Sequence, residues 1–270
     1  MRIFLLFSGA QEHNQPPSDV DGMVTVAADN QLRNDRTTAR FCYRERRTSD
    51  KGSKTYQLIE SDAGTLERLI ETNDRPLNDA QQRSESLRVD RVRNNPEIMR
   101  KAQQDDRKEA QRREKLIQIL PTAFLYTIEA TEDEGRVVRI DFRPNSHFKP
   151  TSREIQICRG LEGKLWIDSQ SLMFMKAQGK LVRDVNFGWG FLGNLEAGGN
   201  FLLDQTEISP GVWRITTLRV NFTGSELLFK PIRIHVDNEA TAFLNVPDHL
   251  SLEDAVQILR RAPHDAMQSE

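Results

Sequence analysis

The sequence has little of several features that would identify a class of protein at once. Only two of its 270 residues are cysteines, Cys42 and Cys158, and their spacing fits neither a metal site nor a redox pair. No apolar run reaches the ~18 residues that a membrane-spanning helix requires. The formal net charge is -2, which excludes a globally basic nucleic-acid binder. We therefore expect the two cysteines to be small buried side chains rather than reactive groups.

Sequence motifs that carry well-known catalytic chemistry are also missing. The chain has no Gly-x-Ser-x-Gly elbow and no His-Glu-x-x-His pair, and its five histidines are scattered without zinc-like spacing. Asp168 and Asp184 could form a carboxylate pair, but aspartate near a strand end is an ordinary turn residue. A buried His147 or Asp141 with a shifted pKa stays open. We accordingly predict a protein that is not an enzyme and that has no catalytic residues, metal or cofactor.

The strongest positive signal is a repeated alternation of apolar and polar residues. Residues 38–73 are typical of three short strands with turns at Gly52 and Gly64, where positive φ is cheap for glycine. Further alternation runs through three segments, Phe124–Ala130, Val138–Phe142 and Met173–Leu181. This period of two predicts an α+β fold built on a large curved antiparallel sheet, an unclosed half-barrel with one apolar face.

A segment of different composition separates the two groups of strands. Residues 78–118 contain no glycine and no aromatic residue and are rich in Arg, Glu, Gln, Lys and Asp. They predict a charged helical insertion, packed on or beside the concave face, in which Asn94-Asn95-Pro96 ends one helix and begins the next. Acidic residues are interleaved with the arginines, and no ring is present to stack on bases. Nucleic-acid binding through these helices is therefore a distant alternative.

Both ends of the chain carry signals of their own. Residues 1–10 begin with a positive charge, continue with a short apolar run and end in small residues, the order of a truncated signal peptide. This favours the periplasm or cell envelope, or secretion, whereas an ordinary strand there would favour the cytoplasm. Residues 11–37 are expected to form a linker or short helix. Residues 237–270 are expected to form a linker, an amphipathic helix over about 252–262 capped by Ser251, and a disordered tail.

Three passages of the sequence resemble one known group of proteins. They are Tyr43–Arg46 with Arg75–Leu77, Ile140–Pro144 with Leu161–Asp168, and Val185–Gly190 with Gly211–Trp213. Together they resemble uncharacterised bacterial envelope proteins related to the outer-membrane lipoprotein-sorting (LolA/LolB-like) fold, over a single domain at 38–236. The resemblance implies a curved sheet wrapped around helices, whose apolar concave face accepts acyl chains of lipoproteins or other hydrophobic ligands.

The glycine-rich stretch Val185–Phe201 places large apolar side chains beside its glycines. It has no lysine and no clear entry into a helix, so a phosphate-binding loop does not fit. We interpret it as a core plug or as the rim of a ligand cavity. The predicted lining of such a cavity is Phe124, Tyr126, Ile140, Phe142, Met173, Met175, Phe187, Trp189, Phe191, Leu192, Leu195 and Trp213.

Two functions of different classes therefore stay open. The first is a non-enzymatic envelope protein that binds a lipid or an acylated protein inside the curved sheet. The second is an envelope interaction module with a filled core, whose arginine-rich helices or sheet edge bind a protein partner or an anionic membrane surface. The two are separated by whether a continuous cavity exists or helices fill it. The sequence does not determine the ligand, the oligomeric state or a Cys42–Cys158 pairing.

Overall fold

A computed structural model describes residues 19–187, 193–226 and 230–261 of the chain. The helices are α1 (Val20–Asn34), α2 (Asp79–Asn94), α3 (Pro96–Ala123), α4 (Arg153–Gln156) and α5 (Leu252–Arg261). The strands are β1 (Arg40–Ser49), β2 (Gly52–Ser61), β3 (Gly64–Thr72), β4 (Arg75–Pro76), β5 (Phe124–Glu132), β6 (Val137–Pro144), β7 (Leu161–Asp168), β8 (Phe174–Leu181), β9 (Val185–Phe187), β10 (Gly193–Leu195), β11 (Asn200–Ser209), β12 (Val212–Glu226) and β13 (Lys230–Val246).

All thirteen strands belong to one antiparallel sheet. The strand order is β4-β3-β2-β1-β13-β12-β11-β8-β7-β6-β5, and β10 and β9 extend the sheet beside the far end of β12. The path ends at β4 on one side and β5 on the other, and these two strands do not pair, so the sheet stays open. The predicted α+β class, with one large unclosed antiparallel sheet and added helices, is confirmed.

Local sequence signals account for the predicted turns and helices. Gly52 and Gly64 adopt φ values of 106° and 108° in the two tight turns that join the first three strands. Asn78 forms a capping box with Gln81 at the start of α2, and the Asn95 side chain accepts a hydrogen bond at the start of α3. The helical insertion is therefore confirmed, with its break at the predicted Asn-Asn-Pro, and it continues to residue 123.

The first helix forms a central part of the core, where the sequence predicted a linker or short helix. Its buried residues Met23, Val24, Ala27 and Ala28 follow the three-to-four-residue spacing of one helix face. That face packs with the C-terminal part of α3 against β5, β6, β7 and β8. We call the face of the sheet that carries α1 and α3 the inner face, and the opposite one the outer face.

The C-terminal region differs from the prediction, which ended the domain at residue 236 and placed a linker after it. β13 continues to Val246 and lies in the middle of the sheet, between β12 and β1. The amphipathic helix α5 is present, and the Ser251 hydroxyl accepts a hydrogen bond from the backbone N–H of Asp254, as a cap requires. The domain therefore includes this strand and helix, because both complete the packing of β1, β2 and β3.

The outer face of the first three strands is covered by α5. Its Val256 and Leu259 pack with Cys42 and Ile59 in a second core cluster. Cys42 and Ile59 alternate along their strands with residues that line the inner face, so α5 and α3 lie on opposite sides of the sheet. Helices thus lie over both faces of this half of the sheet.

Candidate functional site

Most of the residues that the sequence predicted to line a cavity are packed inside the core. Phe124, Tyr126, Ile140 and Phe142 all lie in the cluster that α1 and α3 cover, and Ile140 is completely inaccessible to solvent. Met173 is also buried, just before β8 begins. The strands that carry these four residues, β5 and β6, therefore present an apolar inner face, as predicted, but α1 and α3 of the same chain cover it.

The remaining predicted residues fall into three groups. Phe187 and Leu195 pack with Leu181 and Phe222 in a small separate cluster. Met175 is half-buried, at an irregularity in the pairing of β8 with β7. The predicted lining residues Trp189, Phe191 and Leu192 lie outside the described residues. Of the described candidates, Trp213 lines an opening on the inner face, and the others do not line it.

That opening is a cavity of about 390 Å³ over the central strands. It lies between the inner face, the C-terminal end of α1 and the middle of α3. Its lining residues are Gln31, Asp35, Tyr43, Glu45, Glu60, Arg113, Gln205, Trp213, Arg214, Ile215, Thr216, Leu218, Asn238, Ala240 and Phe243. Aromatic, aliphatic and charged side chains are mixed, so the cavity suits a molecule with both apolar and polar parts.

A second cavity of about 440 Å³ adjoins the first. It lies between β1, β2 and β3 and the helices α2 and α3, and it shares Tyr43 and Glu45 with the first cavity. Its apolar walls come from Leu58, Val89 and Met99. Because two side chains belong to both linings, the cavities are neighbours along the inner face.

The charge pattern of α3 explains why this space is not filled. The helix packs into the two core clusters near its ends, through Met99 at one end and Ile117 at the other. Between them residues 104–113 are all exposed and consist almost entirely of charged and amide side chains. Burying such side chains would cost their hydration, so the middle of the helix bridges the sheet instead of packing into a core. Asp106 and Arg113 lie on this bridge and reach the cavities.

A local distortion of the sheet shapes the wall shared by the two cavities. The pairing of β1 with β13 shifts between Cys42 and Arg44, and Ala242 opposite the shift has a φ of 56°. Phe243 follows it, and its ring stacks on Tyr43 with centroids 5.0 Å apart. Positive φ is costly for alanine, and bulges of this kind often redirect a side chain beside a functional site. Here the bulge directs an aromatic ring into the cavity wall.

The electrostatics of the cavities reflect burial. Desolvation, reinforced by the nearby Glu60 and Glu45, raises the pKa of the Tyr43 hydroxyl well above its usual value. Desolvation also raises the pKa of Glu60, although Arg214 and the backbone N–H of Phe41 oppose this effect. The Phe41 N–H donates to the Glu60 carboxylate at 3.0 Å. The polar groups of the first cavity are therefore held in an environment with little water.

Arginines balance most of the acidic side chains around this space. Arg47 forms ion pairs with Glu45 and Glu67, and its guanidinium lies 4.5 Å from the centroid of the Tyr56 ring. Arg113 of the bridge pairs with Asp35 at the end of α1, at 2.8 Å. Since acids and bases alternate along the walls, the site does not select strongly for one sign of charge.

The polar residues that could have indicated catalysis occupy ordinary positions. The Asp168 carboxylate accepts hydrogen bonds from Ser171, Gln170 and Arg136; although burial itself raises its pKa, these donors bring the pKa below its usual value. Asp184 accepts the backbone N–H of Ala197. Each aspartate thus orders a turn or loop. Within the described ranges, no group of three His, Cys, Asp or Glu side chains is arranged to hold a metal ion.

The two cysteines lie in different parts of the core and are not bonded to each other. Cys42 belongs to the cluster under α5, and Cys158 belongs to the cluster around α1. Burial raises the pKa of Cys158 to about 11, and desolvation raises that of Cys42 as well. Both side chains therefore act as small buried thiols, as the sequence predicted.

Sequence reasoning missed the residues at the centre of the site for an identifiable reason. Tyr43, Glu45 and Glu60 lie on strands that carry charged residues on both faces. The alternation of apolar and polar residues therefore did not indicate which face is the inner one. A usable signal existed in α1, whose apolar residues recur at helical spacing and predict a helix that must be covered. With this helix predicted to cover β5–β8, the open part of the inner face would have been predicted elsewhere on the sheet.

Comparisons with known proteins give no match. No family model matches the sequence, and neither a curated protein nor a solved structure is similar enough to be recognised as a relative. The resemblance to the LolA/LolB-like group therefore rests on the three passages of sequence described above and stays a prediction.

Proposed function

We propose that the protein binds an amphiphilic ligand, an acyl chain attached to a lipid or to a protein, between α3 and the inner face of the sheet. The observation that carries the proposal is the pair of adjoining cavities of about 390 and 440 Å³ that share Tyr43 and Glu45. Each volume falls within the ~300–1,000 Å³ that is typical of ligand sites. The proposed ligand site therefore differs from the apolar surface of β5–β8 that the sequence suggested.

The side chains of the cavity walls support an amphiphile in particular. Trp213, Phe243 and Leu218 supply apolar surface, and burial of apolar ligand surface contributes roughly 25 cal/mol per Å². Arg214 and Glu60 provide polar contacts for a head group in the same space.

A second candidate function has an observation of its own. α1 and the C-terminal part of α3 fill the inner face of β5–β8, as expected of an interaction module with a filled core. The exposed, charged bridge at residues 104–113 would then be the contact surface for a protein partner. This function predicts that the two cavities hold water and exclude acyl chains.

We place the protein in the bacterial cell envelope, where acyl-bearing ligands are abundant. Support comes from the resemblance to envelope proteins and from the signal-like order of residues 1–10, which lie outside the described residues. The part of the chain that the structure describes contains no helix with the length and apolar character needed to cross a membrane. The placement is tested by fractionating cells that express the full-length chain.

The proposed site is tested by filling it. Ala240 is buried in the first cavity, so Ala240→Phe would place a ring where the ligand is expected. We expect palmitate to quench or shift the tryptophan fluorescence of the wild-type chain through Trp213, and Ala240→Phe to bind palmitate at least about tenfold more weakly. Circular dichroism checks that the variant is folded.

A matched substitution provides the control. Ala110 lies on the exposed bridge of α3, outside both cavity linings, so Ala110→Phe introduces the same side chain without filling the site. It should bind palmitate as the wild type does. Equal binding by Ala240→Phe, or no binding of palmitate by the wild type, would count against a ligand site at this position.

A further inference from the structure

Among the described residues, two charged side chains in the wall of the first cavity have no ion-pair partner. The charged residues that line this cavity are Asp35, Glu45, Glu60, Arg113 and Arg214. Arg113 pairs with Asp35 at 2.8 Å, and Glu45 has an arginine partner as well. Glu60 and Arg214 form no ion pair with each other or with another part of the described chain. The cavity therefore contains one acid and one base whose charges are not neutralised by direct contact.

These two side chains lie near each other, because both adjoin Phe41 on β1. The Phe41 N–H donates to the Glu60 carboxylate at 3.0 Å. The guanidinium carbon of Arg214 lies 5.1 Å from the centroid of the Phe41 ring. The carboxylate and the guanidinium are thus neighbours in the cavity wall without being in contact. A molecule with a positive and a negative group a few bonds apart can contact both at once.

Both groups keep hydrogen-bonding capacity that the protein itself does not use. The Arg214 guanidinium donates to the C=O of Trp213 at 3.3 Å and to the C=O of Ala39 at 3.0 Å, which engages two of the five N–H groups that a guanidinium carries. A carboxylate has two acceptor oxygens, and the partner of Glu60 is a single backbone N–H. Both side chains are half-buried, so water solvates their charges less well than at the surface. Oppositely charged ligand groups would supply the missing contacts.

We propose that the ligand of the first cavity is an acyl lipid whose head group carries an ammonium group and a phosphate, with the ammonium at Glu60 and the phosphate at Arg214. This assignment rests on the ligand binding proposed above and names the chemical class of the ligand. The planar fork of arginine N–H groups matches the oxygens of a phosphate. The stacked rings of Tyr43 and Phe243 line the same cavity, and aromatic faces attract ammonium groups. A head group without net charge also agrees with the balance of acids and bases along the walls.

The test compares three ligands with the same palmitoyl chain on the full-length protein. Lysophosphatidylethanolamine carries both charges, its N-acetylated derivative keeps only the phosphate, and monopalmitoylglycerol has neither. We expect the first to bind at least about tenfold more tightly than the second, and the second at least about fivefold more tightly than the third. Isothermal titration calorimetry below the critical micelle concentrations measures these affinities. Glycerophosphoethanolamine, which has the head group without the chain, distinguishes a lipid from a soluble head group and should bind far more weakly than the first ligand.

Two substitutions assign each charge to its residue. Glu60→Gln should remove the preference for lysophosphatidylethanolamine over its N-acetylated derivative, and Arg214→Gln should remove the preference for that derivative over monopalmitoylglycerol. Each preference is a ratio of affinities within one variant, so a general loss of affinity does not imitate the result. Circular dichroism checks that both variants are folded. Glu162→Gln, at an exposed position of β7 outside both cavity linings, is the matched control and should keep both ratios.

The outcomes separate this assignment from the proposed function. Equal binding of the three palmitoyl ligands by the wild type would overturn the head-group assignment and leave the acyl site standing, whereas no binding by any of them would overturn both. An ammonium preference that persists in Glu60→Gln would overturn the assignment as well. Binding of glycerophosphoethanolamine as tight as that of lysophosphatidylethanolamine would support recognition of the two charges and identify a soluble head group as their source.

Discussion

At the scale of single residues, a few buried polar side chains join elements that are far apart in sequence. Asn34, the last residue of α1, accepts the backbone N–H of Trp213 at 2.8 Å and donates to its C=O at 2.9 Å. The Asn34 side chain thus makes the two hydrogen bonds to β12 that the backbone of a neighbouring strand would make. Gln205 on β11 donates to Gln31 of the same helix at 2.7 Å. These amides hold the end of α1 at the wall of the first cavity.

We expect Asn34→Ala to lower the free energy of unfolding by about 1–3 kcal/mol. The substitution leaves the backbone N–H of Trp213 without its partner, a loss that costs about 1–3 kcal/mol, while the C=O of Trp213 keeps a hydrogen bond from Arg214. Urea denaturation measures the change. Asp29→Ala, on the exposed side of α1, is the control and should stay within about 0.5 kcal/mol of the wild type. A cost for Asn34→Ala no larger than that of the control would contradict this role.

Glu60 gives a prediction about pH. Its pKa is raised in the folded protein, so the folded state holds the proton more tightly than the unfolded state, whose pKa is near 4.5. The contribution of this group to stability is therefore fully present below pH ~4.5 and is lost as the pH rises through the folded pKa. Gln at this position keeps an acceptor for the Phe41 N–H and does not ionise.

Glu60→Gln should therefore gain stability relative to the wild type as the pH rises from about 4.5 to neutrality. Thermal midpoints of the two proteins, measured between pH 4 and pH 8, give the difference directly. A difference that does not change with pH, or that favours the wild type increasingly toward neutral pH, would show that burial does not control this carboxyl.

At the scale of helices and strands, local signals predicted the existence of elements better than their positions. The turns at Gly52 and Gly64 and the break at Asn95 were readable because each needs a particular residue type. The second half of β13 could not be predicted from the sequence, because its run of Asp, Asn, Glu and Ala has little strand propensity. It is a strand because β1 and β12 pair with it on both sides, which is a tertiary effect.

The candidate site shows the same limit. Alternation correctly marked an apolar inner face on β5–β8, but it could not reveal that α1, from a stretch predicted as linker or short helix, covers that face. The open part of the sheet, near Tyr43 and Phe243, depends on a β-bulge and on the bridging of α3. The bulge has no sequence signal within its own strand, because it results from the pairing of distant segments, and the charged middle of α3 does not by itself show which part of the sheet it crosses.

The docking of α5 gives a prediction at this scale. Val256 is completely buried against the cluster that contains Cys42, whereas Cys158 lies in the other cluster. A charge at Val256→Asp cannot be buried there without a large cost, so α5 should leave the sheet. We expect a thiol reagent to label Cys42 at least about tenfold faster in this variant.

Cys158 is the internal control of that experiment. Its labelling rate should stay close to the wild-type rate, because α5 makes no part of the cluster around it. Labelling by mass spectrometry resolves the two sites in one sample. Faster labelling of both thiols would mean that α5 holds the whole fold together, and an unchanged Cys42 would mean that α5 does not cover it.

At the scale of the whole molecule, two core clusters are joined by one sheet and one long helix. α3 contributes Met99 to the cluster under α2 and α5 and Ile117 to the cluster around α1. The central strands run between the two halves without a break in pairing. We therefore expect unfolding in one transition, with far-UV circular dichroism and tryptophan fluorescence giving the same midpoint in urea. Loss of the helical signal at a lower urea concentration would contradict this.

The same architecture leaves the cavities beneath the α3 bridge, where we propose that an acyl-bearing ligand binds. Native mass spectrometry of the full chain purified from bacterial envelopes, before and after solvent extraction, tests this binding. We expect an added mass that is removed by extraction, is identified as an acyl species and is restored by palmitate. A mass equal to that of the polypeptide alone, unchanged when palmitate is offered, would contradict ligand binding and favour the module with a filled core.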